Sequence, residues 1–358
     1  MAKSNHQEGD RSATGEKHKI EHEAPPNPQR VKVEKQQTLE ESLNKDKDEK
    51  SERTDNTKSK QEDELEAKQE SAVMPGEEPD VPPNILEKGI IYFFIRGRVN
   101  IENPEAVDDV ARTFILLRPI EKDAKLGDGP IGDARNNRLI ALPKKKLPVG
   151  GNDRFMIFVE KSNASFKDLK KSFLDGADYE TKTAGTRHTP AAIPVGEGVY
   201  ALTTTGRESH LVYMLTIPEK LGSAQEGLGI KEKGSFIIST KNPNYAGPAN
   251  ARLPESPEFP TEVIDEFRSL RWLPSKPIHL DYPNAQLLLV GESSGVEKAL
   301  EPQEKDETNS AENPEEFVES LAEEDFQRMR HLSGHQSESI YADLQARAEG
   351  YPQLKTAF

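Results

Sequence analysis

Apolar and polar residues are distributed in three regimes along the chain. Residues 1–80 contain no Phe, Tyr or Trp, and their few aliphatics, such as Leu39, Leu43 and Leu65, are scattered among Glu, Lys, Gln, Ser and Asn. From Ile85 to Glu292, β-branched and aromatic residues recur in short runs; beyond that point acidic residues dominate again, now at helical spacing. A segment without aromatics cannot bury enough area to offset a chain entropy of about 1–2 kcal/mol per residue. The pattern therefore predicts a folded region at 81–295, a disordered polar and acidic tail at 1–80, and an acidic tail at 296–358 carrying two short amphipathic helices. The Pro-rich stretch 74–84 reads as the hinge into the folded part.

The runs themselves predict strands. GIIYFFIRGRVN (89–100) is apolar on both strand faces, as a central strand is. TFILLRP (113–119), RLIAL (138–142) and RFMIFVE (154–160) follow. YETKTAGTRHTP (179–190) reads as one extended Thr-rich strand ended by Pro190. GVYALTTT and HLVYMLTIP flank the turn Gly206-Arg207-Glu208-Ser209 as a hairpin central to the core. GSFIIST (234–240) and QLLLVGE (286–292) complete about eight strands. Two helices lie between them. One starts at the N-cap Ser165 and puts Phe166, Leu169, Phe173 and Leu174 on one face; the other starts at the N-cap Thr261 and aligns Val263, Ile264, Phe267 and Leu270. In the tail, Asn313 caps a helix with Pro314 at its first position, acid leading and Arg328 and Arg330 trailing, as the helix dipole prefers. SESIYADLQARAEG repeats that plan with Ile340, Leu344 and Ala348. Without strict βαβ alternation the fold class is α+β: a β-rich single domain of mainly antiparallel sheet, a sandwich or a partly closed barrel, with two or three helices and disordered flanks.

Charge sharpens the partition. Residues 1–80 carry 14 Lys and Arg against 21 Asp and Glu, residues 296–358 carry 6 against 15, and the remainder is nearly neutral within a total of −15. A neutral core gives no bulk electrostatic reason to bind nucleic acid or an anionic membrane. The absence of cysteine excludes disulfides, thiolate nucleophiles and cysteine-based metal sites. The start MAKSNHQEGD is too polar for a signal peptide, and no apolar run approaches the roughly 20 residues a membrane span needs. The expected location is cytoplasmic or nuclear, and no cofactor or metal is expected.

Several segments resemble a family of uncharacterised fungal proteins with more distant bacterial and plant relatives. The shared marks are GIIYFFIRGRV at 89–99, VDDVARTFILLRP at 107–119, YETKTAGTRHTP at 179–190, the GEGVY…HLVYML hairpin at 196–215, and GSFIIS…KNP at 234–243. The resemblance covers roughly residues 85–292 and implies no established activity. Some fungal members carry the label "BTB domain transcription factor". The residues here show neither a helix-dominated BTB pattern nor a zinc-binding or basic DNA-reading segment.

The densest polar constellation is Arg187, His188, Glu197, Arg207, Glu208 and His210. Should the 179–190 strand neighbour the hairpin, these side chains would converge at a shared rim. Arg and His would then donate to an anion, or imidazole and carboxylate would hold a metal. The competing reading has Arg207 to His210 in a solvated turn and Arg187 paired structurally with Glu197. His279 and Asp281 share the same spacing in a Pro-rich loop. The Gly-rich segment 125–138, with Asp128 and Asp133, has neither calcium-loop nor phosphate-loop spacing. Lys144-Lys145-Lys146 reads as a solvated edge, Arg96 and Arg98 as one strand face, and Trp272 as packing. No GxSxG elbow and no HExxH motif occur. The sequence favours a non-catalytic binding or interaction module for a protein partner or an anionic ligand, with acidic tails. The alternatives are an enzyme of unrecognised type acting on an anionic small molecule through the Arg/His/Glu cluster, and a nuclear regulatory protein, as the family label suggests.

Overall fold

The computed structural model describes residues 71–76, 81–181, 185–247, 252–302, 313–332 and 336–358. The expectations for residues 1–70 lie outside them. In chain order the strands are β1 (Val73–Met74), β2 (Ile85–Gly97), β3 (Val110–Ile120), β4 (Lys125–Leu126), β5 (Asn137–Leu142) and β6 (Arg154–Ala164). Helix α1 (Phe166–Leu169) then runs into a wider π turn, Lys170–Leu174. β7 (Ala177–Thr181), β8 (Gly185–Thr189), β9 (Ile193–Thr204) and β10 (Ser209–Ile217) precede α2 (Ser223–Leu228). β11 (Lys233–Lys241), α3 (Thr261–Phe267), β12 (Trp272–Pro274) and β13 (Gln286–Gly291) follow, and α4 (Pro314–Leu332) and α5 (Gln336–Asp343) end the order.

Eight strands close an antiparallel barrel in the order β10-β9-β2-β3-β5-β6-β13-β11, with β11 returning to β10. It consists of two four-strand meanders, β2-β3-β5-β6 and β9-β10-β11-β13, joined along β2–β9 and β6–β13. Closure, rather than a sandwich or a gap, comes from β10 and β11. Ser209–Met214 pairs with Ile238–Lys233, in register, across a connection that contains α2. β12 extends β11 over Ser239–Lys241, and β1 pairs with β4 in a separate two-stranded sheet.

Because side chains alternate along a strand, each barrel strand feeds two cores. All eight strands send residues inward. Ile91, Phe93 and Ile95 of β2, Ile115 and Leu117 of β3, Leu211 and Tyr213 of β10, and Leu287 and Leu289 of β13 are among them. Eight strands leave an interior just wide enough for side chains to fill, and Phe93, Tyr213 and Phe236 meet there with ring centroids 5.0 and 5.7 Å apart. Gly234 permits this, since a Cβ on it would lie 2.4 Å from the Tyr213 ring. Leu147, Leu228 and Ile230 belong to the same core as Val263, Phe267 and Leu280 from the α3 region.

The opposite residues of the same strands, Ile90, Tyr92, Phe94, Leu116, Val199, Ala201 and Val212, form an outer core. Its cover comes from Phe166, Leu169, Phe173 and Leu174, the face predicted for α1, and from the C-terminal helices through Phe317, Val318, Leu321, Met329, Ile340, Tyr341 and Leu344. The tail helices are thus part of the barrel's packing.

Three local expectations change. Residues 179–190 do not form one strand. β7 and β8 pair antiparallel as a ribbon outside the barrel, and β8 opens on Gly185 at φ +69°. Its polar alternation offers no face to bury, so nothing recruits it into the barrel. Helix α3 is capped by the Pro260 position rather than by Thr261, and it stops at Phe267, leaving Leu270 52% exposed. Arg328, read from the sequence only as a trailing partner of the helix dipole, is 1% exposed.

Candidate functional site

The six residues singled out in the sequence fall into separate settings. Arg187 is exposed on β8. His188 beside it is half-buried, its Nδ1 2.6 Å from Asp178 across the ribbon and its backbone tied to Asn100. Arg207 is exposed in the β9–β10 turn, and Glu208 bonds Lys298 at 3.0 Å. His210 and Glu197 are wholly buried, with different partners. The ribbon pairs with no barrel strand, so the shared rim that would have gathered the six does not form.

His210 belongs to an arrangement with Ser235 and Glu292 on the outer wall. Its Nδ1 lies 2.8 Å from Glu292 Oε2, the oxygen that also accepts from the Ser235 hydroxyl. Burial pushes the Glu292 carboxyl up, but the hydrogen bonds from His210 and Ser235 and the charge of Lys298 leave it below the usual range. The carboxylate thus stands between serine and imidazole, whereas nucleophilic catalysis needs the imidazole against the hydroxyl. At the barrel end that holds the N-termini of β2 and β5, Arg138 donates to both Glu87 oxygens at 2.6 and 2.8 Å and to Asp281 at 2.7 Å. Tyr200 donates to Glu87 at 2.7 Å. His279 is fully buried nearby and stacked on Phe267, and burial pushes it down to about 4, so it is neutral at physiological pH. Its Nδ1 accepts from the Lys276 backbone N–H.

The densest charge cluster joins the barrel to the tail helices. Arg328 of α4 donates to Asp343 at 2.7 Å, to Asp325, and to Glu197 of β9 at 3.3 Å. Arg118 of β3 donates to Asp343 Oδ2 at 2.7 Å and to the carbonyls of Ile131, Gly132 and Asp343. Tyr92 donates to Asp343, and Thr216 to Asp325. Burial, aided by the charge of Arg328, lowers Arg118 to about 9, so it stays cationic at neutral pH. Burial drives Asp343 up to about 7, while its donors Arg118, Arg328, Tyr92 and the Ile131 N–H favour the charged form. Glu197 is held well above the usual glutamate range by burial and by the neighbouring Asp325. Among the described residues its Oε2 has no hydrogen-bond partner. A protonated Glu197 leaves two arginines facing two aspartates, a neutral set.

These clusters are buried, and their charged groups are paired with one another. Among the open cavities is a surface groove of about 900 Å³ beside α4. β10 supplies its floor through Met214 and Leu215, the segment after β10 adds Leu221, and α4 adds Ala322 and Phe326. Met214 is buried, while Leu215, Leu221, Ala322 and Phe326 are half-buried. A smaller cavity of about 190 Å³ shares Thr216, Glu219 and Phe326 and continues to Arg330 and the first turns of α5. From Glu319 to Arg330 the groove follows α4 for roughly 16 Å at helical rise. Its rim is acidic: Glu219, Glu232, Glu319 and Glu323 against Lys231 and Lys233. Lys233 already bonds Glu319, and Lys231 donates to the Glu292 carbonyl. No single motif marked this groove in the sequence. The available signal was the helical spacing of Ala322, Phe326 and Met329, which the cover of the barrel does not fully use.

Among the described residues no group of three or more His, Cys, Asp or Glu side chains is placed to hold a metal. No described helix is long and apolar enough to cross a membrane. No protein-family model, curated protein or solved structure matches the chain.

Proposed function

We propose that the protein is a non-catalytic interaction module: a side-chain-filled barrel whose C-terminal helices create a docking groove for a peptide segment of a protein partner. The observation that carries this reading is the groove beside α4, half-exposed and apolar along its floor, with four carboxylates against two ammonium groups on its rim. Half-buried apolar side chains lining a groove are the usual anchor sites of bound segments, and the rim sets the charge of the partner. The occupant that fits is a segment with two or three apolar anchors flanked by Lys or Arg. Packed interiors elsewhere in the molecule support the reading, because Arg, His and Glu there are spent on one another.

Panning a random peptide library on the intact chain tests it. Apolar sequences with flanking basic residues should be enriched, and Phe326→Asp should abolish their binding without shifting the unfolding midpoint. Enrichment that is indifferent to Phe326→Asp, or that selects acidic peptides, would remove the groove as the docking site.

A further inference from the structure

A second site lies at the other end of β11, which spans roughly 25 Å at strand rise. Lys241, the last residue of β11, is 7% exposed. Five Lys and Arg residues among those described are buried to this degree, and four are well accommodated. Arg118, Arg138 and Arg328 are held by carboxylates, and Lys88 donates to the Ala124 carbonyl at 2.7 Å and lies over the Phe317 ring. Among the described residues Lys241 has no carboxylate partner; its ammonium reaches the Asn242 carbonyl at 3.4 Å. Burial pushes the ammonium below its ordinary value, and the positive charge of Arg271 pushes the same way. A buried cation without a counter-charge is costly unless something supplies one.

The surroundings are shaped to receive it. Lys241 lines a cavity of about 300 Å³ with Tyr245, Arg252, Asn284 and Gln286, and one carboxylate, Glu255, is also on the wall. The turn after β11 is fixed by Asn242, which donates to the Leu270 carbonyl at 3.0 Å and accepts from the Asn244 N–H at 2.9 Å. That turn brings Gly247 over the lysine: a Cβ there would lie 3.5 Å from Lys241 Cε and 3.8 Å from Gln286 Oε1. Lysine is a point charge suited to phosphate, and the amide of Asn284 is of the type that orients oxyanions. Counting Arg271, three cations meet one carboxylate, which favours a doubly charged anion over a single carboxylate. Pockets for small molecules begin at about this volume, more than one inorganic ion needs.

We propose that this cavity binds the phosphate group of a small phosphorylated molecule, with the Lys241 ammonium as its counter-charge. The site is independent of the groove beside α4. Equilibrium dialysis of the intact chain against labelled inorganic phosphate, at constant ionic strength, tests it. The expected result is one equivalent bound, at least tenfold weaker binding in Lys241→Met, unchanged binding in a variant of the exposed α1 lysine, Lys167→Met, and little competition from acetate. Denaturation without phosphate supplies the second reading: Lys241→Met should be as stable as the parent chain or more so, since it removes an uncompensated buried charge. Absence of stoichiometric binding, binding indifferent to Lys241→Met, or equal competition by acetate would overturn the proposal. So would a Lys241→Met chain that is less stable or fails to fold, because the lysine would then be structural.

Discussion

Glu197→Gln tests the charge state of the cluster that fastens the tail helices to the barrel. Glu197 is wholly buried, and its carboxyl is held well above the ordinary range by burial and by Asp325. Arg328 reaches it at 3.3 Å, longer than the 2.7 Å bond of the same guanidinium to Asp343. A protonated carboxyl can still accept that bond through Oε1, and the amide oxygen of glutamine can take over the role. Oε2 is already without a partner, so the amide nitrogen adds no new unsatisfied position. At mildly acidic pH the substitution should therefore cost less than about 1 kcal/mol.

The pH dependence then follows from linkage. A carboxyl whose folded pKa is raised binds one more proton in the native than in the unfolded state. Its stabilising contribution is complete below the ordinary glutamate value and is lost as pH rises towards the folded value, at about 1.4 kcal/mol per pH unit. Glutamine carries no such slope. The stability of Glu197→Gln minus that of the parent chain should rise with pH above about 5 at that rate, until the raised pKa is reached. Urea denaturation at pH 5, 6 and 7, followed by the fluorescence of the single tryptophan, Trp272, measures the difference directly. A difference that is flat with pH, or a loss of more than about 2 kcal/mol at every pH, would mean that Glu197 is ionised and needed as a counter-ion. The account of a neutral cluster would then be wrong.

The same cluster gives two further expectations. Arg328→Ala leaves Asp325 and Asp343 without their shared partner and should cost about 3–5 kcal/mol, as breaking a buried ion pair does; a loss under about 1 kcal/mol by urea denaturation would place Arg328 in water. A chain ending at residue 302 loses Phe317, Val318, Leu321, Ile340 and Tyr341 from the outer core, and it should unfold at lower denaturant and bind a hydrophobic dye. An unchanged midpoint would mean that residues 81–295 fold unaided.

What the sequence made legible was whatever obeys a local period. All eight barrel strands were visible as β-branched and aromatic runs, because strands apolar on both faces must be covered twice. The stripe Phe166, Leu169, Phe173 and Leu174 was visible because helical spacing predicts a buried face, and all four are buried. Closure was not legible, since the β10–β11 pairing depends on two edges meeting across a connection with no local signature of its own. The ribbon β7–β8 was misread because Thr-rich alternation has high strand propensity whether or not a sheet accepts it. The charged residues were the least legible. Arg328 and Asp325 look like solvated helix charges, yet the face that carries them also carries Leu321 and Met329 and turns inward. A carboxylate three residues before an arginine has the same spacing on either side of a helix. Only the partner surface, here Glu197 and Arg118 on the barrel wall, decides whether the pair is solvated or buried. Lys241 is the complementary case. Its neighbours in sequence give no hint of burial, and its missing counter-charge becomes visible only when the turn carrying Gly247 folds over it.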